Sequence, residues 1–592
     1  MHLFPNIIFC DSLEALKTLY EKGVSKETKI LTKAPALLAL KNKNITNIEA
    51  HISNKDKEKL RQHFKGLTEK FYLNIKGCCN NEYTILLTTK FYFFLFDVYN
   101  GLLIKDEDIK NKFGLVELKA EDLEINEAID NNIKSILLQN DNCVSIPMPV
   151  RVTKERSARG ESIANIKNRL RIVGLKGLSW AILNFLSNFS FWNNKSKIGV
   201  LFYNELVRGV ALKLLSNNKR VTIYKSPFSK PTIQDEKNTK DINTVKEYTN
   251  NIIDETLLII KSDVVRNNLY IIWNQYITEE LFNYKNYIKQ SEYFLKNKKN
   301  LSVLITGYIN STKAAALYKI CKDKNITLVS CQHGVSRELI DDPMISSIKF
   351  ETSFSDHFLC FNKFARKITE ESKYFINKKK ISVVGLPDDY FRVIKGNNLI
   401  NKKPLLYVST FLLSGGRPNM LAPNSDIEMV IWEKTLIHNI LSKLTYKVDF
   451  KPYPAIRYSD PDLVLSEVKK FNNLNIIGTH TDLRYIVSDY NIIITSGATS
   501  TISWCINGKK PIVFINRKGN LSLSQKALKD LSLILFVFNE NDNNWQLDLL
   551  DFLNQPYKVI KTKWKLKENN RKKIIDNYFG PSLNIKHLNF NL

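Results

Sequence analysis

From Lys197 onward, short apolar runs alternate with helical stretches, and this alternation constrains the fold more than any other feature of the chain. "KIGVLFY" (197–203) reads as a strand, "ELVRGVALKLLSNN" as a helix and "RVTIY" as a second strand. After a helical stretch the pattern resumes with "LSVLITG" (301–307), the helix "STKAAALYKICKDKN", and the strands "ITLVS", "HFLCF" and "ISVVG". A polar break near Lys402 and Lys403 opens a second series, with strands "PLLYVST", "YKVDF", "LNIIG", "NIIITS", "PIVFIN" and "LILFVF". Strands separated by helical segments of about 10–15 residues make parallel sheets with right-handed crossovers. Two such series in tandem predict an α/β chain with two Rossmann-like parallel-sheet domains facing each other across a cleft.

At 592 residues the chain is too long for a single core. The pattern divides it into an N-terminal extra region (1–195), one Rossmann-like domain (196–400) and another (401–592). The first 50 residues read as strand, helix, strand and strand, and residues 55–195 as mainly helical. "MHLFPNIIFCDS" lacks the basic and long apolar segments of a signal peptide. No run of about 18 uncharged apolar residues occurs. "FYFFLFDVYNGLLI" (91–104) comes closest, but Asp97 interrupts it, which predicts a buried helix. Eight cysteines, with no C-x-x-C pair and no His/Cys cluster at metal spacing, predict no metal site and fit a reducing cytoplasm. The net charge of +28 would attract any polyanion. The lysines are dispersed, however, and no arginine-rich stripe or nucleic-acid signature accompanies them. The charge therefore reads as attraction to anionic substrates or lipid surfaces, with no nucleic-acid partner expected.

In open parallel sheets, ligands bind outside the carboxyl ends of the strands. The loop after "NIIIT" carries Ser496, Gly497, Ala498, Thr499, Ser500 and Thr501 ahead of a helix. Small hydroxyls and free backbone N–H groups at a helix start make a phosphate cradle, and Gly497 allows close approach. A plain N-cap is the alternative, but one hydroxyl suffices for a cap. In "YKVDFKPYPAIRY" (446–458), Lys451 and Arg457 flank a proline-stiffened loop suited to a diphosphate or carboxylate, or are simply solvated charges. In "STFLLSGGRPN" (409–419), Gly415, Gly416 and Arg417 offer a weaker phosphate-wrapping loop.

The earlier domain contributes "SCQHGVSRE" (330–338), with Gln332, His333 and Gly334 at a strand's carboxyl end. A His there, beside a glycine and opposite a phosphate cradle, fits a general base or a donor-phosphate ligand better than a core residue. Glu205 follows the strand of 197–203 and is either a base for an acceptor hydroxyl or a first-turn carboxylate complementing a helix dipole. Asp460 and Asp462 form a D-x-D, but Pro461 between them and the apolar pattern after them read as a helix N-cap with proline in the first turn, not a metal site.

Taken in order, Q-H-G, G-x-P ("VVGLPDD", 383–389), K-P-x-P and S-G-x-x-S followed by G-K-K-P form a set over roughly residues 300–520. This set resembles GT-B glycosyltransferases of bacterial surface polysaccharide synthesis. The similarity is strongest to capsule Kdo transferases, bacterial polysialyltransferases and CDP-glycerol glycerophosphotransferases. In those families a basic-Pro-His-Pro loop and the Ser/Thr cradle hold cytidine-nucleotide phosphates; here Tyr453 stands where that His would. The resemblance implies a GT-B-like fold, with 196–400 on the acceptor side and 401–592 on the nucleotide-donor side. It also implies transfer with no obligatory metal and no cofactor. Its donor is a nucleotide sugar, with a CMP-linked ulosonic or nonulosonic acid favoured, and its acceptor a surface glycan or lipid-linked glycan. In that setting His333 or Glu205 deprotonates the acceptor hydroxyl. A CDP-glycerol-type glycerophosphotransferase and a non-catalytic nucleotide-binding protein of the same fold stay open as alternatives.

One further segment, "IKNRLRIVGLKGLSWAILNFLSNFSFW" (166–192), places Lys167, Arg169, Arg171 and Lys176 ahead of an aromatic, apolar helical pattern. It reads either as a helix packed between domains or as a helix in the headgroup region of the inner membrane. The expected location is cytoplasmic, peripheral to the membrane in the second case.

Overall fold

The computed structural model describes residues 4–76, 81–120, 131–150, 179–189, 192, 195–229, 239–307, 311–340, 351–371, 380–390, 403–410, 424–453, 458, 460–478, 481–519 and 522–588. Its strands form three sheets, all of them parallel. The first comprises β1 (Ile7–Phe9), β2 (Lys29–Thr32), β3 (Ile45–Asn47), β4 (Phe113–Ala120) and β5 (Cys143–Val150), in the order β3-β2-β1-β4-β5. The second comprises β6 (Ile198–Leu201), β7 (Val221–Ile223), β8 (Val303–Thr306), β9 (Thr327–Cys331), β10 (His357–Cys360) and β11 (Lys380–Val383), in the order β11-β10-β9-β8-β6-β7. The third comprises β12 (Lys403–Val408), β13 (Val448–Lys451), β14 (Leu474–Ile476), β15 (Tyr490–Ser496), β16 (Ile512–Asn516) and β17 (Phe536–Asn539), in the order β14-β13-β12-β15-β16-β17.

The second and third sheets are the two Rossmann-like domains that the alternation predicts. Their strands are legible because both faces are covered, so each is a nearly continuous apolar run. In β15 only Asn491 is less than fully buried. One apolar core joins the two sheets, with Val200, Ile305 and Val329 from one side and Leu406, Ile493 and Phe514 from the other.

The N-terminal region differs from its expected mainly helical character after residue 55. It contains a third parallel sheet, because the chain returns to it as β4 and β5. β5 is an edge strand with Pro147 and Pro149, and Val144 and Ser145 are exposed. Prolines are tolerated at such an edge but hide the strand from a pattern reading. The helices Asn54–Lys76 and Asn81–Leu102 do occur, and they do not pack alone. The long helices Thr239–Leu257 and Asp263–Lys296, which leave the second sheet after β7, bury Ile253, Leu269 and Trp273 against Phe64, Phe71, Phe91 and Val98. Phe71 stacks on Phe91 at 4.2 Å, with the Trp273 ring edge-on to both. The core therefore does not part at residue 195. Asp97, expected to interrupt an apolar helix, is buried and accepts a 2.8 Å hydrogen bond from the Tyr276 hydroxyl. No described helix is long and apolar enough to cross a membrane.

The end of the chain crosses back to the second sheet. The helix Glu568–Tyr578 lies on the helix Lys363–Glu371, with the rings of Phe364 and Tyr578 4.8 Å apart. Beyond it, Pro581 O accepts from Leu386 N at 2.7 Å, and Asn584 N donates to Val384 O at 2.8 Å. Gly385 of the G-x-P motif lies under this segment at φ +86°, where a Cβ would stand 2.4 Å from the Pro581 carbonyl. The glycine is thus fixed by chain crossing.

Candidate functional site

Gln332 follows β9 and is fully buried. Its Oε1 accepts from Phe361 N at 3.1 Å, its Nε2 donates to Gly334 O at 2.9 Å, and its carbonyl accepts from Asn204 Nδ2 at 3.1 Å. It therefore ties together the loops after β6, β9 and β10, lying beneath the site as a brace. That differs from the donor contact expected of it: both ends of its amide are already used by the protein. His333, the next residue, is exposed. Its backbone N–H donates to Glu351 Oε1 at 2.8 Å, and Glu351 is paired with Arg337, itself 2% exposed. The imidazole is thus presented to solvent from a loop fixed by a buried ion pair. Breaking such a pair is costly, because it strands a buried charge.

Gly334 reaches the other domain. A Cβ built on it would lie 3.4 Å from Cβ and 3.8 Å from Oγ of Ser500. The Q-H-G loop at the carboxyl edge of the second sheet therefore meets the Ser/Thr loop at the carboxyl edge of the third. In that loop Ser496 is buried and hydrogen-bonded through its carbonyl to the Thr410 hydroxyl. Gly497 turns the chain at φ +73°, a conformation that favours glycine. Thr499 N donates to Gly497 O at 2.9 Å, and Ser500 precedes the helix Thr501–Asn507. The Ser500 side chain makes no cap hydrogen bond. Thr499 Oγ1 accepts from Thr501 N only at a long 3.4 Å. A plain N-cap thus does not account for the hydroxyls of Thr499, Ser500 and Thr501, all of which are partly exposed.

Lys451 ends β13 as a buried residue, with Nζ donating to Pro452 O at 3.0 Å. Burial pulls its ammonium down to about 8, while the Asp482 carboxylate pulls the other way. Arg457, Gly415, Gly416 and Arg417 lie outside the described residues. Glu205 is the first residue of the helix Glu205–Ser216, whose N-cap is Asn204. Its Oε1 stands 3.9 Å from Arg484 Nη1, across the interface between the two domains.

Sequence reasoning missed Arg484 and its surroundings. The Arg484 guanidinium donates to Asp482, whose carboxylate also caps the short helix Leu483–Ile486. It lies 4.9 Å from the Trp504 ring centroid, and Trp504 stacks on Tyr390 at 3.6 Å. Tyr390 belongs to the 3-10 turn Asp388–Tyr390 that follows the G-x-P motif. The residues 477–483 follow β14, and the same strand-end rule that found the other loops would have led there. The D-x-D forms the expected N-cap, with Pro461 before the cap instead of in the first turn. Asp462, not Asp460, is the N-cap of the helix Leu463–Val468, accepting from Val464 N at 2.7 Å and Leu465 N at 3.1 Å.

Within 166–192 only residues 179–189 and 192 are described, so Lys167, Arg169, Arg171 and Lys176 lie outside. Leu183 is fully buried, whereas Ile182, Phe185 and Phe189 are 48%, 63% and 40% exposed. One face of this segment packs and the other is bare.

No family model matches this sequence, and no curated protein matches it. Solved structures align with it at low identity. The UDP-GlcNAc 2-epimerase from Neisseria meningitidis, bound to UDP-GlcNAc, is 12% identical over 64% of this chain and 98% of its own, with a TM-score of 0.38. MurG from Acinetobacter baumannii is 9% identical over 64% of this chain and 92% of its own, with a TM-score of 0.31. The calicheamicin glycosyltransferase CalG4 is 10% identical over 64% and 94%, with a TM-score of 0.33. TM-scores this low carry no functional inference.

Proposed function

We propose that this chain transfers a glycosyl group from a nucleotide-sugar donor to a hydroxyl acceptor. The donor lies over the carboxyl edge of the third sheet and the acceptor is presented from the second. The observation that carries this reading is the approach of Gly334 to Ser500, which brings an exposed imidazole to a loop of uncommitted hydroxyls. In the reaction the acceptor oxygen bonds to the anomeric carbon as the bond from that carbon to the phosphate oxygen breaks. The acceptor proton passes to His333, or to Glu205, and the electron pair leaves with the nucleotide phosphate. Hydroxyls of Thr499, Ser500 and Thr501, with the Lys451 ammonium, meet that developing charge without an obligatory metal.

The ordered motifs favour a cytidine nucleotide, and a CMP-linked ulosonic or nonulosonic acid within that class. Lys451 together with Arg417 and Arg457 would suit the added carboxylate of such a sugar. A donor panel of CMP-, CDP-, UDP- and GDP-linked compounds, with mass-spectrometric detection of released nucleotide, tests this. Turnover of CMP donors supports the whole reading; turnover of UDP or GDP donors alone corrects the nucleotide. Nucleotide binding with no turnover of any donor identifies a non-catalytic binder. The acceptor side extends to a lipid-linked glycan at the inner membrane surface, a reading favoured by the bare Ile182, Phe185 and Phe189 following a basic stretch of sequence.

A further inference from the structure

The first sheet has the order β3-β2-β1-β4-β5, so the chain winds outward in both directions from β1. In such a sheet the ligand crevice lies at the switch point, above the carboxyl end of β1. The residues there are Cys10, Asp11 and Ser12, leading into the helix Leu13–Glu21. That crevice is already filled by the protein itself. Asp11 Oδ1 accepts from Thr32 Oγ1 at 2.9 Å and from Lys33 N at 3.1 Å, closing the gap toward β2. The helix start is met by a carboxylate from a residue 447 positions away: Leu13 N lies 2.9 Å from both Oδ1 and Oδ2 of Asp460, and Ser12 Oγ lies 3.4 Å from Oδ1. Asp460 thus stands where an anionic ligand's oxygens would be held.

Two further contacts join the same surfaces. Tyr458 packs on the core of the first sheet, and its hydroxyl donates to Asp426 at 2.7 Å. Asn54 Nδ2 donates to Glu428 Oε1 at 3.0 Å. Tyr458 and Asp460 follow Lys451 by seven and nine residues in the sequence, so the first domain holds the chain shortly after the end of β13. Burial outweighs the donors around Asp460 and pushes its carboxyl up to about 6. A neutral acceptor of the same shape would therefore serve there as well.

We infer that the N-terminal sheet has given over its own ligand crevice to the donor domain, and that Asp460, seated in it, is a positioning residue for Lys451. The positioning claim rests on the donor reading of the Lys451 loop; the docking claim does not. The test uses the full chain, with Asp460→Ala, Asp460→Asn and Leu13→Pro. Proline is well tolerated at the first helical position, so Leu13→Pro removes the Leu13 N–H donated to Asp460 while leaving the helix and the Ser12 and Glu14 contacts in place. Peptide hydrogen exchange by mass spectrometry should rise in 7–16 and 446–466 for Asp460→Ala and Leu13→Pro, and stay at the wild-type level for Asp460→Asn. The double variant should be no worse than Asp460→Ala alone, since that substitution already removes every bond to the carboxylate, the Leu13 one included. Affinity for CMP and UDP, used as probes, should fall about three- to tenfold in the first two variants, the range set by one hydrogen bond. Unchanged exchange in both Asp460→Ala and Leu13→Pro overturns the docking claim. Raised exchange with unchanged nucleotide affinity overturns the positioning claim. If the wild type binds neither nucleotide, the donor reading falls and the positioning claim with it, while exchange still decides the docking.

Discussion

The first and third sheets run in the same order from their central strand, 3-2-1-4-5, with a sixth strand added in the third. Their carboxyl edges have opposite fates. Above β1, the carboxylates of Asp11 and Asp460 occupy the crevice and answer the backbone N–H groups there. Above β12 and β15, the Ser500 hydroxyl caps nothing and Lys451 brings a buried cation to the edge. A parallel sheet supplies a place for a ligand; side chains decide whether a ligand or the protein fills it. Shared winding is thus no evidence of shared chemistry.

The comparison breaks first at His333. If the edge between the second and third sheets is catalytic, His333→Ala should lower turnover by ~10²-fold or more, the usual size of a general acid–base contribution. Thermal stability should hold, because the imidazole is exposed and the loop is fixed through its backbone. An unfolded variant whose folded fraction stays fully active would make the His structural.

Next in size is the cradle. Ser500→Ala or Thr499→Ala should weaken nucleotide binding by at least about tenfold, as loss of one hydrogen bond to a charged group costs about 1.5–3 kcal/mol. The first edge supplies the control: Asp11→Ala should leave nucleotide affinity untouched and cost about 1–3 kcal/mol of stability, since Thr32 and Lys33 lose their acceptor. Affinity loss from Asp11→Ala, or none from either cradle variant, would erase the distinction between the two edges.

Smaller still is a pH effect that only the third sheet should show. Burial favours the neutral amine of Lys451, so the side chain is charged below about 8 and loses its charge above it. Nucleotide affinity should therefore be level below that pH and decline as pH rises through it. Lys451→Arg, whose guanidinium stays charged, should carry the plateau to higher pH. An identical decline in both proteins would take Lys451 out of the donor site.

The smallest effect concerns lipid. Flotation with anionic vesicles should fall with salt and fall again in a Lys167/Arg169/Arg171 triple-Ala variant, each cation contributing about 1 kcal/mol near the surface. Equal flotation of both proteins, or none, removes the membrane from the description.

Much of this architecture was legible because a strand covered on both faces must be apolar throughout, and the second and third sheets consist of such strands. The first sheet was half hidden. β4 and β5 return to it after the 65 residues between Asn47 and Phe113, and β5 mixes exposed residues with two prolines. At the site, His333 and the Ser496–Thr501 loop could be found from their place at strand ends. The brace role of Gln332 could not, since its partners Asn204 and Phe361 lie 128 and 29 residues away. Nor could the setting of Arg484 between Glu205 and Trp504, which exists only once two domains are assembled. Local pattern reveals which loops are available; pairings across domains reveal which side chains are already spent.

The returning C-terminal segment has a consequence for how the molecule is made. The Val384 carbonyl and both backbone groups of Leu386, in the domain of the second sheet, find their partners in Asn584, Pro581 and Leu583, and Asn362 donates to Tyr578 O at 2.7 Å. During synthesis that domain emerges from the ribosome well before its last partners do, and must wait through the whole of the third sheet with those groups unmet. The domain carrying His333 is therefore completed last, after the third sheet has had time to form. A ribosome stalled short of residue 578 would leave Leu386 and Asn362 without these partners.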